Sequence, residues 1–361
     1  MSEPTAWLRL QLTPGLGRVG QLRLLEHFGD LQNVLSAADE RRWPQLAGLR
    51  RDLATHVPTA DAPEVVQALA QLEESDAWLL DCLDPAYPAL LREIPDPPVV
   101  LYGRGRLPDG MAVAMVGARR PSAAGVRIAA EFAEQLAQAG VVVVSGLARG
   151  IDSAAHHGAL RGGGLTVAVL GCGIDQVYPP ENRQLVERIA EQGVVLSEYP
   201  PGTPPLPGHF PGRNRIISGL CRAVLVVEAA RDSGSLITAD FALDQGREVM
   251  AVPGTITLAT SYGPNRLLKQ GAHPVTEVAD ILALLGQEGP RASTAPAEAL
   301  SPVALDEPAR TVHALLDTAP RHIDILARES GLTPMTLSDI LLHLELQGLV
   351  RQLPGARFVR G

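Results

Sequence analysis

Residues 113–122 read Val-Ala-Met-Val-Gly-Ala-Arg-Arg-Pro-Ser, and the pattern returns at 141–152 as Val-Val-Val-Val-Ser-Gly-Leu-Ala-Arg-Gly-Ile-Asp. Each begins with a short run of apolar residues. The run is too brief for a buried helix and apolar on both faces, as in a strand at the centre of a parallel sheet. Each breaks at glycine and enters a stretch with helical apolar spacing, Ser122 to Ala139 and Asp152 to Leu160. Strand-like runs recur at Thr166 to Leu170, Val194 to Ser197, Ala223 to Glu228 and Glu248 to Val252. Further helical stretches occupy Glu181 to Gln192 and Leu236 to Gln245. This alternation predicts an α/β fold: a Rossmann-like, doubly wound, mostly parallel sheet covered on both faces.

Outside that block the periodicity changes. Residues 1–80 read as a helical domain: Leu8, Leu12, Leu16 and Leu22 to Leu25 fall on one face, and Asp61 to Ser75 forms another amphipathic helix. The glycine-rich turn Thr13 to Gly20 resembles a helix-hairpin-helix or SAM-like element, whose backbone amides can meet a DNA phosphate; a plain helix-helix turn reads the same way. Residues 81–285 make the Rossmann-like domain. Residues 286–308, rich in Pro, Ala, Glu and Ser, read as a linker. Residues 309–361 form a winged-helix domain: helices at Arg310 to Asp317, His322 to Ser330 and from the Thr333 cap to Gln347, then a hairpin around Pro354-Gly355.

At 361 residues the chain is too long for one ordinary core. No apolar run is long enough for a membrane span, and residues 1–18 lack the apolar core of a secretory signal. Cys82, Cys172 and Cys221 are odd in number and widely spaced, which suits free thiols in a cytoplasmic protein better than a metal site. The net charge of −9 does not exclude a nucleic-acid ligand, because salt screens charges beyond about 10 Å and a local patch decides binding. The basic residues are nearly all arginine, with Lys269 the one lysine. A guanidinium fork suits phosphate, although a GC-rich genome produces the same bias.

Ligands of doubly wound sheets gather at the carboxyl ends of the strands. There the chain places Gly117, Arg119, Arg120 and Ser122 after one strand, and Gly146, Arg149 and Gly150 after the next, with Ser122 and Asp152 as helix caps. Gly171-Cys172-Gly173 follows a third strand, and Arg231-Asp232-Ser233-Gly234-Ser235 opens a later helix. Such turns bind anions through backbone amides and the helix dipole. Phe210 stands beside Arg213, Asn214 and Arg215 in what reads as a Pro/Gly-rich loop. An aromatic next to cations suits a single strand, whose bases stack while its backbone is tracked electrostatically. A loop anchor tucked into the core is the competing explanation.

The segments VGARRPS (116–122), SGLARGIDSAAHHGAL (145–160), VLGCGIDQVYP (169–179), LSEYPPG (196–202), HFPGRNRIISGL (209–220), VLVVEA (224–229), SGSLITA (233–239) and REVMAVPG (247–254) resemble the DprA/Smf family in order and spacing. That resemblance implies a homodimeric single-stranded DNA-binding protein. It would protect DNA and load a RecA-type recombinase in natural transformation or repair, without bond chemistry, metal or cofactor. It makes Arg119 and Phe210 the first DNA contacts. Arg149, Arg213, Asn214 and Arg215 follow, with Ser235 as an amide donor to phosphate. The apolar stretch Met250 to Leu268 is a plausible dimer seam.

Two other functions fit less of the sequence. A nucleotide N-glycosidase would use the same phosphate turns with Glu228 or Asp240 as its acid. A duplex-DNA regulator would read the major groove with the third winged-helix segment, but Met335 to Leu346 has no arginine or lysine and two acids. The Walker pattern is missing, Ser145 and Ser197 have no triad context, and His156 with His157 lacks a third metal ligand nearby. Glu198 and Glu228, at strand ends, read better as caps or arginine partners than as an acid and base.

Overall fold

The computed structural model describes residues 3–43, 49–50, 52–286, 307–316, 321–346, 349–353 and 355–360. The linker read at 286–308 therefore falls almost wholly outside the described residues. The chain divides into two compact units, Met1–Gly289 and Pro290–Gly361.

In the first unit four α-helices lead among the described residues: α1 (Pro4–Gln11), α2 (Arg18–Phe28), α3 (Leu31–Asp39) and α4 (Pro63–Glu74). Strand β1 (Trp78–Asp81), helix α5 (Ala89–Arg92) and β2 (Val100–Gly105) follow. The alternating block is β3 (Ala112–Val116), α6 (Ala123–Gln138), β4 (Val142–Ser145), α7 (Ile151–Arg161), β5 (Thr166–Val169), α8 (Arg183–Gln192) and β6 (Val194–Ser197). It continues with α9 (His209–Gly219), β7 (Ala223–Val226), α10 (Gly234–Asp244), β8 (Glu248–Ala251), α11 (Tyr262–Lys269), β9 (His273–Pro274) and α12 (Val278–Leu284).

One sheet runs in the order β1-β2-β6-β5-β4-β3-β7-β8-β9. Pairing is parallel from β6 to β9 and antiparallel where β2 meets β6 and β1 meets β2. Side chains alternate across it. Val113, Met115, Val143 and Leu225 lie under α6, α7 and α12, while Ala114, Val116, Val144 and Val226 face residues of α9, α10 and α11. The order reverses between β3 and β7, which creates a topological switch point.

The two antiparallel strands escaped the sequence reading. Trp78 to Asp81 sits at the end of the stretch read as helical, and Val100 to Gly105 was not assigned to a strand. Both are short and bounded by Pro, Gly or Asp, and they pair antiparallel, β1 at the sheet's edge and β2 between β1 and β6, so neither belongs to the parallel strand-helix alternation. The apolar run Val99 to Tyr102 is the available signal. The leading helices also lack a separate interior: Trp7, Leu8, Leu24 and Val65 share one core with Val99, Val100 and Tyr102, and with Leu185 and Ile189 of α8.

His156 is fully buried on α7, with Nδ1 2.7 Å from the Thr166 hydroxyl. That hydroxyl donates to the Val143 carbonyl at 2.7 Å, so the imidazole Nδ1 is the donor to Thr166. Burial, aided by His157 and Arg213, lowers its pKa to about 3. A depressed pKa means that only the unfolded chain takes up this proton between about pH 6.5 and 3. The stabilisation is present above 6.5 and is lost as pH falls, by up to about 1.4 kcal/mol per unit. Urea midpoints at pH 7 and 5 should therefore separate more in the wild type than in His156→Asn. Parallel pH profiles would disprove this.

The second unit holds α13 (Glu307–Ala314), β10 (Arg321–His322), α14 (Ile323–Ser330), α15 (Pro334–Leu346), β11 (Val350–Leu353) and β12 (Arg357–Arg360). A three-stranded sheet in the order β10-β12-β11 closes a winged helix around Val312, Leu326, Leu341 and Phe358. Gly331 ends α14 at φ 70°, a left-handed position that a glycine takes without cost. Thr333 caps α15 by accepting from the Thr336 amide at 3.3 Å.

Candidate nucleic-acid interface

A groove of about 990 Å³ opens at the switch point, beyond the carboxyl ends of β3 and β7. Its walls are Gly117 to Arg120 after β3, Phe210, Pro211, Arg213 and Asn214 at the start of α9, and Ala230 to Ser235 at the entry to α10. Thr260 and Tyr262, after β8, complete it. A smaller recess beside it is lined by Gly146, Arg149, Tyr178 and Phe210.

Phe210 lies in the first turn of α9 rather than in a loop, and its ring is half-buried. It packs over Gly171, where a Cβ would stand 2.8 Å from Cδ1, so the close approach requires glycine there. Tyr178 lies against it with ring centroids 5.5 Å apart, and the Arg119 guanidinium stands 5.7 Å from its centroid. Arg119 and Arg120 are exposed, and neither has a carboxylate partner among the described residues. Arg231 is exposed on the same groove and is equally free of one, with its guanidinium 4.3 Å from the Tyr262 ring centroid. The sequence reading quoted Arg231 but left it and Tyr262 out of the site. Their pairing across 31 positions has no local signal.

The other arginines differ. Arg213 lines the groove floor but is only 4% exposed, and donates to the carbonyls of Gly146, at 2.8 Å, and Val169. Burial pushes its pKa down to about 10, with Asp152 opposing that shift. It supplies positive potential from beneath rather than an accessible fork. A Cβ on Gly146 would lie 2.6 Å from Arg213 Nη2, so this glycine makes room for the guanidinium.

Arg215 does not line the groove. Its side chain is 3% exposed and forms two hydrogen bonds to Glu198, at 3.0 and 2.6 Å, and one to Asp96 at 3.3 Å. A direct strand contact is incompatible with that burial. Arg149 is exposed but paired with Glu181.

The strand-end amides are also largely occupied. Asp152 was read as a cap, yet it lies inside α7 and accepts from Gly146 N–H at 3.1 Å and Ala148 N–H at 3.4 Å, while Ile151 N–H bonds the Ala118 carbonyl. Gly150, at φ 78°, packs against Ala118 and Arg119 and lines neither the groove nor the recess. Ser122 caps α6 as read, accepting from Gly125 N–H at 3.0 Å; its own N–H and hydroxyl go to Glu228. Ser122 therefore faces inward, and Glu228, 7% exposed, serves as its partner. The start of α10 is more open. Gly234 is exposed, Ser233 accepts weakly from Ser235 N–H at 3.4 Å, and Asn214 Nδ2 donates to the Gly234 carbonyl at 3.2 Å.

Gly117, Arg119, Arg120, Phe210, Arg213, Asn214, Gly234 and Ser235 thus meet on one groove, with Gly146 and Arg149 at its margin. No cluster of His, Cys, Asp or Glu able to hold a metal occurs among the described residues.

These features define a Rossmann-like α/β protein with an open groove at the switch point that combines arginines without carboxylate partners among the described residues, aromatic faces and a helix N-terminus. Comparison with known proteins makes the assignment specific. The chain belongs to the DNA recombination-mediator protein A family, DprA or Smf, whose family model matches residues 78–286; residues 295–356 match the DprA winged helix domain. It is 35% identical to Protein Smf of Synechocystis over 99% of both chains. Against DNA processing protein DprA of Streptococcus pneumoniae it is 48% identical over 56% of this chain and 72% of that one. The solved Streptococcus pneumoniae DprA structure superposes with a TM-score of 0.67 at 38% identity, covering 78% of this chain and 98% of the other. A Helicobacter pylori DNA processing protein A structure, described for its single-stranded DNA binding mode, matches at 30% identity and TM-score 0.53 over 58% and 95% of the two chains.

Proposed function

We propose that the chain binds single-stranded DNA in the switch-point groove and presents it to a RecA-type recombinase, in transformation or recombinational repair, without breaking bonds. The observation that carries this is the convergence of Arg119, Arg120 and Arg231, all exposed and without carboxylate partners among the described residues, on a groove that also displays Phe210 and Tyr262. A flexible strand can lay phosphates on the cations and bases on the rings, which a stiff duplex with stacked bases cannot. The Helicobacter pylori relative's DNA-binding description supports the same ligand. Glu228 is engaged by Ser122 and Asp240 does not line the groove, so neither acid of the glycosidase reading faces a bound nucleotide.

In this reading the protein acts as a homodimer in the cytoplasm. Its three cysteines are free thiols, and no helix among the described residues is long and apolar enough to cross a membrane. The exposed Ile256, 93% accessible, and Leu258 lie within the stretch Met250 to Leu268 and suit a subunit seam.

The test is equilibrium binding of oligo-dT against a duplex of equal length over a salt series. Three phosphates neutralised by the free arginines give a log-log slope of about −2 for the single strand. Equal affinity for duplex, or a slope near zero, would refute the assignment. Sedimentation equilibrium of the same preparation decides the dimer, and co-sedimentation with a RecA-type recombinase on the strand decides the handover.

A further inference from the structure

We infer that Arg231 and Tyr262 form a second base-stacking station, so that one single strand crosses the groove held by an aromatic ring at each bank. The inference rests on the strand-binding reading above and extends it to residues on the far side of the switch point.

Phe210 sits over the end of β5 through Gly171, whereas Tyr262 follows the end of β8. In sheet order these strands are separated by β4, β3 and β7. Phe210 meets Arg119 after β3, and Tyr262 is tied to Arg231 after β7, so the two rings belong to different segments of the groove wall. The same groove is lined by Arg119, Arg120, Arg231 and the start of α10 at Ser233 to Ser235.

The Tyr262 ring is held for this purpose by the backbone. Gly263 N–H bonds the Ala229 carbonyl at 2.8 Å, and Ala229 N–H bonds the Thr260 carbonyl at 2.6 Å. These bonds clamp the start of α11 to the segment that carries Arg231. The ring remains 37% exposed, with the guanidinium 4.3 Å from its centroid and no carboxylate on that arginine among the described residues. The two stations therefore share one construction: an exposed, unpaired arginine resting on an accessible ring beside the groove. An arginine parked on a ring keeps the aromatic face uncollapsed, and a base can replace it while the guanidinium turns to phosphate.

The test uses the full chain with dT12, an abasic strand of the same length, and dTMP, read by fluorescence anisotropy or competition. Tyr262→Ala should weaken dT12 binding roughly 5- to 150-fold, the range for loss of one stacked base. It should barely change abasic-strand binding, and Tyr262→Phe should restore dT12 affinity. Arg231→Ala, at an exposed side chain, should weaken both strands and lower the salt slope by about 0.7. Equal losses on dT12 and the abasic strand, or no loss with Tyr262→Ala while Phe210→Ala remains defective, would overturn the second station and leave strand binding intact. dTMP binding as tightly as dT12 would overturn the two-bank arrangement. If the wild type itself fails to prefer dT12 to duplex, the underlying strand reading fails instead.

Discussion

Arg119→Ala and Phe210→Ala should each weaken binding of single-stranded DNA while the protein stays folded. Phe210 is the larger effect. Loss of a stacked base costs about 1–3 kcal/mol, roughly 5- to 150-fold in affinity. The ring touches Tyr178, Gly171 and Arg119 but is only half-buried, so its removal trims the groove wall without opening the core. Arg119 acts differently. It is exposed and unpaired, so Arg119→Ala should remove one phosphate contact and flatten the salt dependence by about 0.7 in slope. Because the two side chains touch, their losses should not add, and the double variant measures the coupling. Filter binding or anisotropy at two salt concentrations separates the roles. Affinities within twofold of wild type for both variants, with unchanged melting, would remove the groove from consideration as the DNA site.

The second large effect concerns stability. Arg215→Ala leaves the carboxylates of Glu198 and Asp96 without their buried counter-charge, and breaking such a pair costs about 3–5 kcal/mol. Arg215 belongs to α9, the helix that begins with Phe210 and carries Arg213 and Asn214. Its anchor extends to the leading helices, because Asp96 also accepts from Arg18 at the start of α2. The urea midpoint should therefore fall sharply. At concentrations where the variant is still native, the salt slope for single-strand binding should stay that of the wild type, since a side chain 3% exposed reaches no phosphate. A stable Arg215→Ala protein with a reduced slope would return this residue to the DNA surface.

Much of this molecule is written locally. The parallel strands declare themselves because each is a short, mostly apolar run, with glycine directly after the runs of β3, β4 and β5, and strands β3 to β8 fall within two residues of where that pattern puts them. Ser122 capping α6, and Gly331 and Thr333 bounding the winged-helix segments, are equally legible, since a cap and the amide it serves lie within a few positions. Strands β1, at the edge, and β2, between β1 and β6, are less so: they pair antiparallel and carry no repeat.

The sequence by itself determined the doubly wound sheet, the glycine turns at its carboxyl rim and the supply of arginines and one phenylalanine there. Only the tertiary structure decided which of those arginines can meet a ligand. Arg149 finds Glu181, Arg213 sinks beside Asp152, and Arg215 joins Glu198 and the distant Asp96, while Arg119, Arg120 and Arg231 keep their charge open to the groove. The reason is physical: the availability of a charge depends on its solvent exposure and on carboxylates brought alongside by folding, and those partners lie up to 119 positions away.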